Sequence, residues 1–195
     1  MIVSVQHRFV LLCMPKCASH ALIDAIGDRA DMVIRHPQGA KHCNLRKYNR
    51  QLRPFVESFS EVPIETLCLM REPLDWLNSW WRYRQRPALN GHRNSTSGLS
   101  FDSFVVRYLE GAAPADTIGR QARFLSDKDG NVGVDRLYRY ERIDDLAGWI
   151  SDRTGWTLRL EQKNVSPKAE WTLSPEVRAR AEQEMARDFE IFSAL

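Results

Sequence analysis

Two segments of the chain place cationic and hydroxyl side chains directly after apolar runs typical of buried strands. In the first, Lys16 and Ser19 follow the run at residues 9–14. In the second, Arg71 follows another apolar run, and Ser79 comes eight positions later. The amide groups at the start of a helix attract anions, and a nearby Lys or Arg adds a full charge. The two segments therefore predict sites for two anionic groups of one ligand.

The first segment differs from the nucleotide-binding motif Gly-x-x-x-x-Gly-Lys-Ser/Thr, although it occupies a similar position between a strand and a helix. Its loop contains no glycine, and Lys16 precedes the hydroxyl of Ser19 by three residues. These differences disfavour an ordinary kinase or ATPase.

The elements that would position these residues alternate between strands and helices. Apolar patterns predict strands at 8–14, 32–35, 66–70 and 136–140. Helical patterns cover 19–29, 45–56, 74–84, 101–109, 118–125, 143–154 and a long last segment from 175, which Ser174 would cap. A chain of 195 residues is long enough for one α/β domain and too short for two of ordinary size, which predicts a single domain over residues 1–195. Right-handed crossovers then predict helices on both faces of a central, mostly parallel sheet. Ligands of such folds bind at the carboxyl ends of the strands, where both segments lie.

The sequence from 85 to 100 fits neither a helical nor a strand period. It is rich in Pro, Asn, Gly and Ser, which are typical of turns. We expect an exposed, mobile loop here, and this loop together with residues 37–44 is the predicted source of substrate specificity.

Residues 14–22, Met-Pro-Lys-Cys-Ala-Ser-His-Ala-Leu, resemble the 5′-phosphosulfate loop of sulfotransferases that use 3′-phosphoadenosine 5′-phosphosulfate (PAPS). In that family Pro-Lys is followed by small residues and a pair of hydroxyl residues. Here an imidazole, that of His20, stands in place of the second hydroxyl. The resemblance implies cofactor contacts from Lys16, Cys17, Ala18, Ser19, His20 and Ala21, with Cys17 acting through its backbone N–H.

Residues 71–79 resemble the 3′-phosphate signature of the same family, which has an Arg at a strand end and a Ser eight positions later. A guanidinium offers a fork of donors that suits phosphate. The resemblance implies that Arg71 and Ser79 bind the 3′-phosphate. Trp76 stands where the family often has a second basic residue, and Arg82 or Arg84 is a possible replacement.

Further segments are similar to bacterial sulfotransferases related to the carbohydrate-modifying enzymes, in the same order along the chain. They cover residues 121–125, 134–141 and 163–167, so the resemblance spans most of the chain. It implies a P-loop-like three-layer fold. It also implies that a segment late in the chain covers the nucleotide, with Ser166, Lys168 and Asn164 as cofactor contacts.

Sulfuryl transfer requires a base for the acceptor hydroxyl and a cation for the leaving group, and no metal is obligatory. Lys16 suits the second role because it would neutralise the bridging oxygen as the leaving phosphate gains charge. His42 is the favoured base, since related enzymes carry a similar Lys-His there and a near-neutral pKa suits the task. His36, which is closer to the strand end, is the alternative.

These features predict a PAPS-dependent sulfotransferase acting on a hydroxyl acceptor, either a carbohydrate or another small molecule. Two other functions stay open: a non-catalytic nucleotide-binding module, and a kinase-like phosphotransferase, which should need magnesium. A sensor that kept the nucleotide cradle would bind PAPS without turnover.

Composition bears on three further properties: nucleic-acid binding, disulfide or zinc sites, and membrane insertion. The net charge of +3 is spread over 195 residues and gives little support to nucleic-acid binding. The four cysteines form no Cys-x-x-Cys pair, so a disulfide framework or a zinc site is not expected. No apolar run approaches the roughly 20 residues of a membrane span, and no secretory signal is recognisable, which predicts a cytoplasmic protein without membrane insertion.

Overall fold

The computed structural model describes residues 1–160 and 171–195. Its strands are β1 (Ile2–Ser4), β2 (Phe9–Leu12), β3 (Met32–Val33), β4 (Glu65–Met70) and β5 (Arg136–Arg139). The α-helices of the described residues are α1 (Ser19–Ile26), α2 (Gln38–Lys41), α3 (Leu45–Gln51), α4 (Arg53–Glu57), α5 (Pro73–Arg84), α6 (Phe101–Leu109), α7 (Gln121–Leu125), α8 (Ile143–Thr154), α9 (Pro175–Glu184) and α10 (Ala186–Ser193).

The described residues form two compact units. The first unit comprises Met1–Arg71, residues 121–160 and Leu195. The second comprises Glu72–Arg120 and residues 171–194. The predicted single domain over residues 1–195 stays a prediction.

The first unit contains a five-stranded sheet in the order β3-β1-β2-β4-β5. β1 pairs antiparallel with both β2 and β3, whereas β4 pairs parallel with both β2 and β5. Four of the five strands therefore run in one direction. The predicted α/β class is confirmed, and the sheet is mixed because β1 runs against the others.

The buried strands of this unit explain the apolar runs in the sequence. Every residue of β2 is buried, and so are residues 66–70 of β4. A parallel strand that is covered on both sides shows a continuous apolar run instead of an alternating pattern. α1 adds Leu22, Ile23 and Ile26 to this core.

Several predicted helices are shorter than expected for identifiable reasons. The helix predicted at 45–56 is divided at Leu52, because Pro54 lies in the first turn of α4 and lacks the N–H that a continuous helix requires. The long last helix is divided at Met185, whose φ of −110° and ψ of 20° are not helical. The helix predicted at 19–29 ends as α1 at Ile26 and continues as a 3₁₀ turn.

The second unit fastens the segment 85–100 through buried contacts. Thr96 is fully buried, and its hydroxyl donates to the Trp81 carbonyl at 2.7 Å. The Trp81 indole N–H donates to the Leu99 carbonyl at 2.9 Å. Most residues of this segment are exposed, as predicted, but its second half is held to α5 by these two hydrogen bonds.

Arg84, at the end of α5, has a structural role in the same unit. It is buried, and its guanidinium donates to the Pro114 carbonyl and, at 2.8 Å, to the Thr117 hydroxyl. Burial lowers the pKa of Arg84. The guanidinium donors of Arg84 are therefore used in hydrogen bonds within the second unit.

Three further observations concern the cysteines, membrane-spanning helices and metal-binding groups. All four cysteines are buried, free thiols. None of the helices in residues 1–160 and 171–195 is long and apolar enough to cross a membrane. In the same residues, no three His, Cys, Asp or Glu side chains are grouped so that they could hold a metal ion.

A reciprocal hydrogen-bonded pair, Thr66 and Asp135, fastens β4 to the residue before β5. The Thr66 hydroxyl and the Thr66 N–H both donate to the Asp135 carboxylate at 2.7 Å, and the Asp135 N–H donates back to the hydroxyl at 3.0 Å. We expect Thr66→Val to lower the free energy of unfolding by about 1–3 kcal/mol, because it removes a hydroxyl that donates to a carboxylate and accepts from a backbone N–H. Denaturant titration measures this loss.

Thr157→Val is the matched control, because Thr157 is exposed. Its effect on the free energy of unfolding should stay within about 0.5 kcal/mol. Equal stabilities of the two variants would show that the Thr66–Asp135 pair does not stabilise the sheet.

Candidate functional site

The loop between β2 and α1 adopts a conformation that is unusual for its sequence. Lys16 has a φ of 65° and Ala18 a φ of 52°, so two residues that carry a Cβ occupy the left-handed region. Each such residue costs about 1–2 kcal/mol relative to a right-handed conformation. Backbone strain of this kind persists only where surrounding contacts hold it, and it is frequent at ligand-binding sites.

Ser19 supplies one of the contacts that hold the loop. Its hydroxyl donates to the Met14 carbonyl at 3.0 Å and is almost fully buried. The Cys17 N–H also points back at the Met14 carbonyl, at 3.4 Å. The hydroxyl predicted to contact a cofactor therefore also closes the loop against the end of β2.

The start of α1 lacks the usual means of neutralising its amide groups. Its N-cap residue, Ala18, makes no side-chain cap, and its first turn contains no acidic residue. By contrast α3, α6 and α9 are capped by Asn44, Ser100 and Ser174. The N-terminus of α1, with Lys16 beside it in the chain, thus has the electrostatic character of an anion site.

Arg71 reaches this loop from the end of β4. Its guanidinium donates to the Lys16 carbonyl at 3.3 Å, and its Cζ lies 4.5 Å from the centre of the Tyr140 ring. The contact is possible because β2 and β4 pair in parallel, which brings their carboxyl ends to the same edge of the sheet. The structure thus brings together Lys16 and Arg71, the two cations predicted from separate motifs.

Gln121 fixes the backbone of Arg71 and was not identified as a site residue from the sequence. Its side-chain oxygen accepts from the Arg71 N–H at 3.1 Å, and its side-chain nitrogen donates to the Arg71 carbonyl at 2.8 Å. Gln121 is buried. The sequence identifies residues 121–125 only as a segment similar to the family, and nothing in its composition indicates this pairing.

His42 lies at the end of α2 and contacts the same loop. Its Nδ1 is 2.6 Å from the Cys13 carbonyl, so Nδ1 carries the proton that is donated and Nε2 keeps its lone pair. Burial lowers the pKa of His42, and the nearby charge of Lys41 acts in the same direction. A neutral imidazole with an available Nε2 is the state required of a general base.

Lys41, the last residue of α2, was not identified as a site residue from the sequence. Its side chain is buried, and its Nζ lies 3.1 Å from Nε2 of His20 in the first turn of α1. Burial lowers the pKa of Lys41. The contact ties His20, which replaces the expected hydroxyl, to the segment that carries His42.

Cys17 lies in the loop as a buried thiol. Burial raises its pKa to about 12, although the positive charges of Arg71 and Lys16 act in the opposite direction. The thiol is therefore protonated at physiological pH and is no nucleophile. The predicted cofactor contact through the Cys17 N–H stays a prediction, and in this structure that N–H donates to the Met14 carbonyl.

Ser79 belongs to the second unit, in the second turn of α5, and is nearly buried. The start of that helix differs from α1, because the Glu72 carboxylate caps it by accepting from the Asp75 N–H at 2.6 Å. The Glu72 carboxylate therefore already accepts from an amide at the start of α5, where the sequence predicts a second anion.

Trp76, Trp80 and Tyr83 pack edge to face along the same helix, at 6.3 and 6.0 Å between ring centres.

The remaining predicted site residues lie in different parts of the chain. Ala18 and Ala21 lie half-buried at the start of α1, and His36 is exposed before α2. Ser166 and Lys168, like Asn164, lie outside the described residues. Their predicted contacts stay predictions.

Comparison of the chain with protein-family models, with curated proteins and with solved structures finds no match. The geometry of the first unit and the residues of the two motifs are thus the basis for assigning a function.

The environment of His42 predicts its titration. Because its pKa in the folded protein lies below the ordinary value of 6.5, the imidazole is neutral at pH 7. The unfolded chain takes up the proton first as the pH falls, so the native state loses stability below about pH 6.5. We expect NMR titration to give a pKa below 6.5 for His42, and His42→Asn to weaken the acid dependence of the free energy of unfolding.

His92→Asn serves as the control, because His92 is exposed in the second unit. It should leave the acid dependence of stability close to that of the wild type. A His42 pKa above 6.5 would contradict the buried, neutral imidazole.

Proposed function

We propose that the protein is a sulfotransferase that transfers a sulfuryl group from PAPS to a hydroxyl acceptor. The observation that carries the proposal is the hydrogen bond from the Arg71 guanidinium to the Lys16 carbonyl. It joins two residues 55 positions apart, each taken from a motif that resembles one of the two anion-binding sequences of that family. Their proximity supports a ligand that carries two anionic groups.

The residues of the first unit fit the charge of such a ligand. α1 offers uncapped amide groups, Lys16 adds a cation, and Arg71 is a planar guanidinium suited to phosphate. We assign the 5′-phosphosulfate to the loop and the start of α1, and the 3′-phosphate to Arg71. Since Glu72 caps α5, the amides of that helix are not part of the assignment.

Three residues are assigned to the ligand from the sequence alone. Ser79 follows Arg71 at the spacing of the 3′-phosphate signature, and we assign it to that phosphate. Ser166 and Lys168 are assigned to the nucleotide because of their place in the family-like segment that follows residue 162.

When bound, PAPS would supply the sulfuryl group, which passes to the acceptor oxygen as the bond from sulfur to the bridging phosphate oxygen breaks. Lys16 stabilises the negative charge that develops on that phosphate. His42 accepts the hydroxyl proton at Nε2, while its Nδ1–H stays bonded to the Cys13 carbonyl and holds the ring in one orientation. Ser19 and Arg71 keep the strained loop in place through the Met14 and Lys16 carbonyls.

The structure favours His42 over His36 as the base. His42 is half-buried and oriented by a short hydrogen bond to the loop, whereas His36 is exposed. A base acts best when its position is set before the substrate arrives.

Calorimetric titration with adenosine 3′,5′-bisphosphate, the desulfated product, tests the cofactor class. We expect magnesium-independent binding that is much tighter than binding of 5′-AMP or ATP. Arg71→Ala should weaken it by at least about tenfold, because hydrogen bonds to charged groups contribute roughly 1.5–3 kcal/mol. Arg29→Ala, at an exposed arginine of the same unit, should leave the affinity unchanged.

Two results of that titration would overturn the proposal. A preference for magnesium-bound ATP would favour the kinase-like phosphotransferase. Equal affinities for the bisphosphate and 5′-AMP would show that no 3′-phosphate site exists.

His42→Ala separates an enzyme from a binding module. We expect release of the bisphosphate from PAPS, measured over a panel of hydroxyl acceptors, to fall by about 10²–10⁴-fold, the usual contribution of a general base. Affinity for the bisphosphate should change little. His36→Ala is the matched control and should retain turnover; the reverse pattern would assign the base to His36.

A further inference from the structure

Arg71, the residue assigned to the 3′-phosphate, lies just beyond the end of β4. The ladder that joins β4 to β5 ends at the pair of Met70 with Arg139, one residue before Arg71. The residue after Arg71, Glu72, already belongs to the second unit. The backbone of Arg71 is therefore held by something other than this ladder.

Gln121 takes the place of the ladder at Arg71. Its Oε1 accepts from the Arg71 N–H at 3.1 Å, and its Nε2 donates to the Arg71 carbonyl at 2.8 Å. In an antiparallel sheet, two residues of a hydrogen-bonded pair exchange the same two kinds of bond. One carboxamide thus holds the Arg71 backbone as a neighbouring strand would.

The position of Gln121 makes this contact a selective one. Gln121 is buried, and a buried carboxamide that lost its partners would be costly, so the contact favours a single position of the Arg71 backbone. Gln121 is also the residue at which the chain returns to the first unit. The two bonds therefore join the residue where the chain leaves this unit to the residue where it returns, 50 positions later.

The backbone position of Arg71 determines where its side chain can reach. Its Nη1 donates to the Lys16 carbonyl at 3.3 Å, and its Cζ lies 4.5 Å from the centre of the Tyr140 ring. A long arginine side chain has many rotamers, and a long hydrogen bond with one ring contact restricts them only in part. The direction of its Cα–Cβ bond, which Gln121 fixes through the backbone, supplies the remaining restriction.

We propose that Gln121 is a positioning residue for the 3′-phosphate, and that the selectivity of the site for a 3′-phosphorylated nucleotide depends on its bonds to the Arg71 backbone. A guanidinium binds phosphate through parallel N–H···O bonds, and this geometry tolerates little displacement. Gln121 acts through Arg71 and is assigned no contact of its own with the ligand. The inference rests on the proposed function, because it requires Arg71 to bind the 3′-phosphate.

A purely structural role of Gln121 has a different consequence for ligand binding. Loss of the two bonds would then destabilise the first unit and weaken all ligands of that unit alike. A positioning role weakens only the ligand that carries a 3′-phosphate. The ratio of the affinities for adenosine 3′,5′-bisphosphate and 5′-AMP distinguishes the two roles.

Calorimetric titration of the full chain with these two nucleotides measures the ratio. Gln121→Met keeps the length of the side chain and removes both bonds, so it should lower the bisphosphate affinity by about three- to tenfold and leave the 5′-AMP affinity nearly unchanged. Gln121→Asn is one methylene too short to reach both backbone groups. It should shift the ratio in the same direction, and it provides the test if Gln121→Met does not fold.

A double-mutant cycle tests whether Gln121 acts through Arg71. In the Arg71→Ala background, Gln121→Met should cause no further loss of bisphosphate affinity, because the guanidinium that it positions is gone. Thr66→Val is the matched control, since it removes hydrogen bonds near the other end of β4. It should lower the stability of the protein without changing the ratio of the two affinities.

The possible outcomes separate this inference from the proposed function. Equal wild-type affinities for the bisphosphate and 5′-AMP would overturn both. A wild-type preference for the bisphosphate that Gln121→Met and Gln121→Asn leave unchanged would overturn the positioning role alone. Losses from Gln121→Met and Arg71→Ala that add in the double variant would also overturn it, because Gln121 would then act independently of Arg71.

Discussion

The candidate site depends above all on the parallel pairing of β2 with β4. The register, from Phe9 opposite Glu65 to Leu12 opposite Cys68, sets both strands side by side with their carboxyl ends at one edge. Both strands are buried, so their backbone groups must be satisfied within the sheet, and a shift in register would leave those at the strand ends unpaired. The loop that follows β2 and the arginine that follows β4 are neighbours because of this ladder, and the Thr66–Asp135 pair fastens the same strand to β5 on its other side.

The loop after β2 achieves a tight turn without glycine. Lys16 and Ala18 occupy the left-handed region at a cost in free energy, and the loop is held by hydrogen bonds to two of its own carbonyls, those of Met14 and Lys16. A glycine-rich loop would reach the same conformation more cheaply but would tolerate many others. Side chains that carry a Cβ restrict the loop to fewer conformations, which favours a prearranged set of amide donors.

The sequence predicts the elements that carry strong local signals. α6 and α8 have the bounds expected from their periodicity, because Ser100 caps one and Gly155 ends the other in a left-handed conformation. β1 and α2 were missed, since a three-residue strand and a four-residue helix are too short to show a period. Lys16, Arg71 and His42 were identifiable from residue type and motif. The partners that hold them, Gln121 and the Cys13 carbonyl, follow from tertiary contacts that no local pattern encodes.

The burial of all four cysteines has a practical consequence. Cys13 directly follows β2, Cys17 lies in the loop, Cys43 lies between α2 and α3, and Cys68 lies in β4. Burial raises the thiol pKa of the last three. Alkylating reagents attack thiolates that solvent can reach, so the folded chain should resist them. Modification of these residues would proceed only through local opening of the first unit. The rate of cysteine alkylation therefore reports how often the first unit opens. A ligand that lowers this rate must bind to the closed form of that unit.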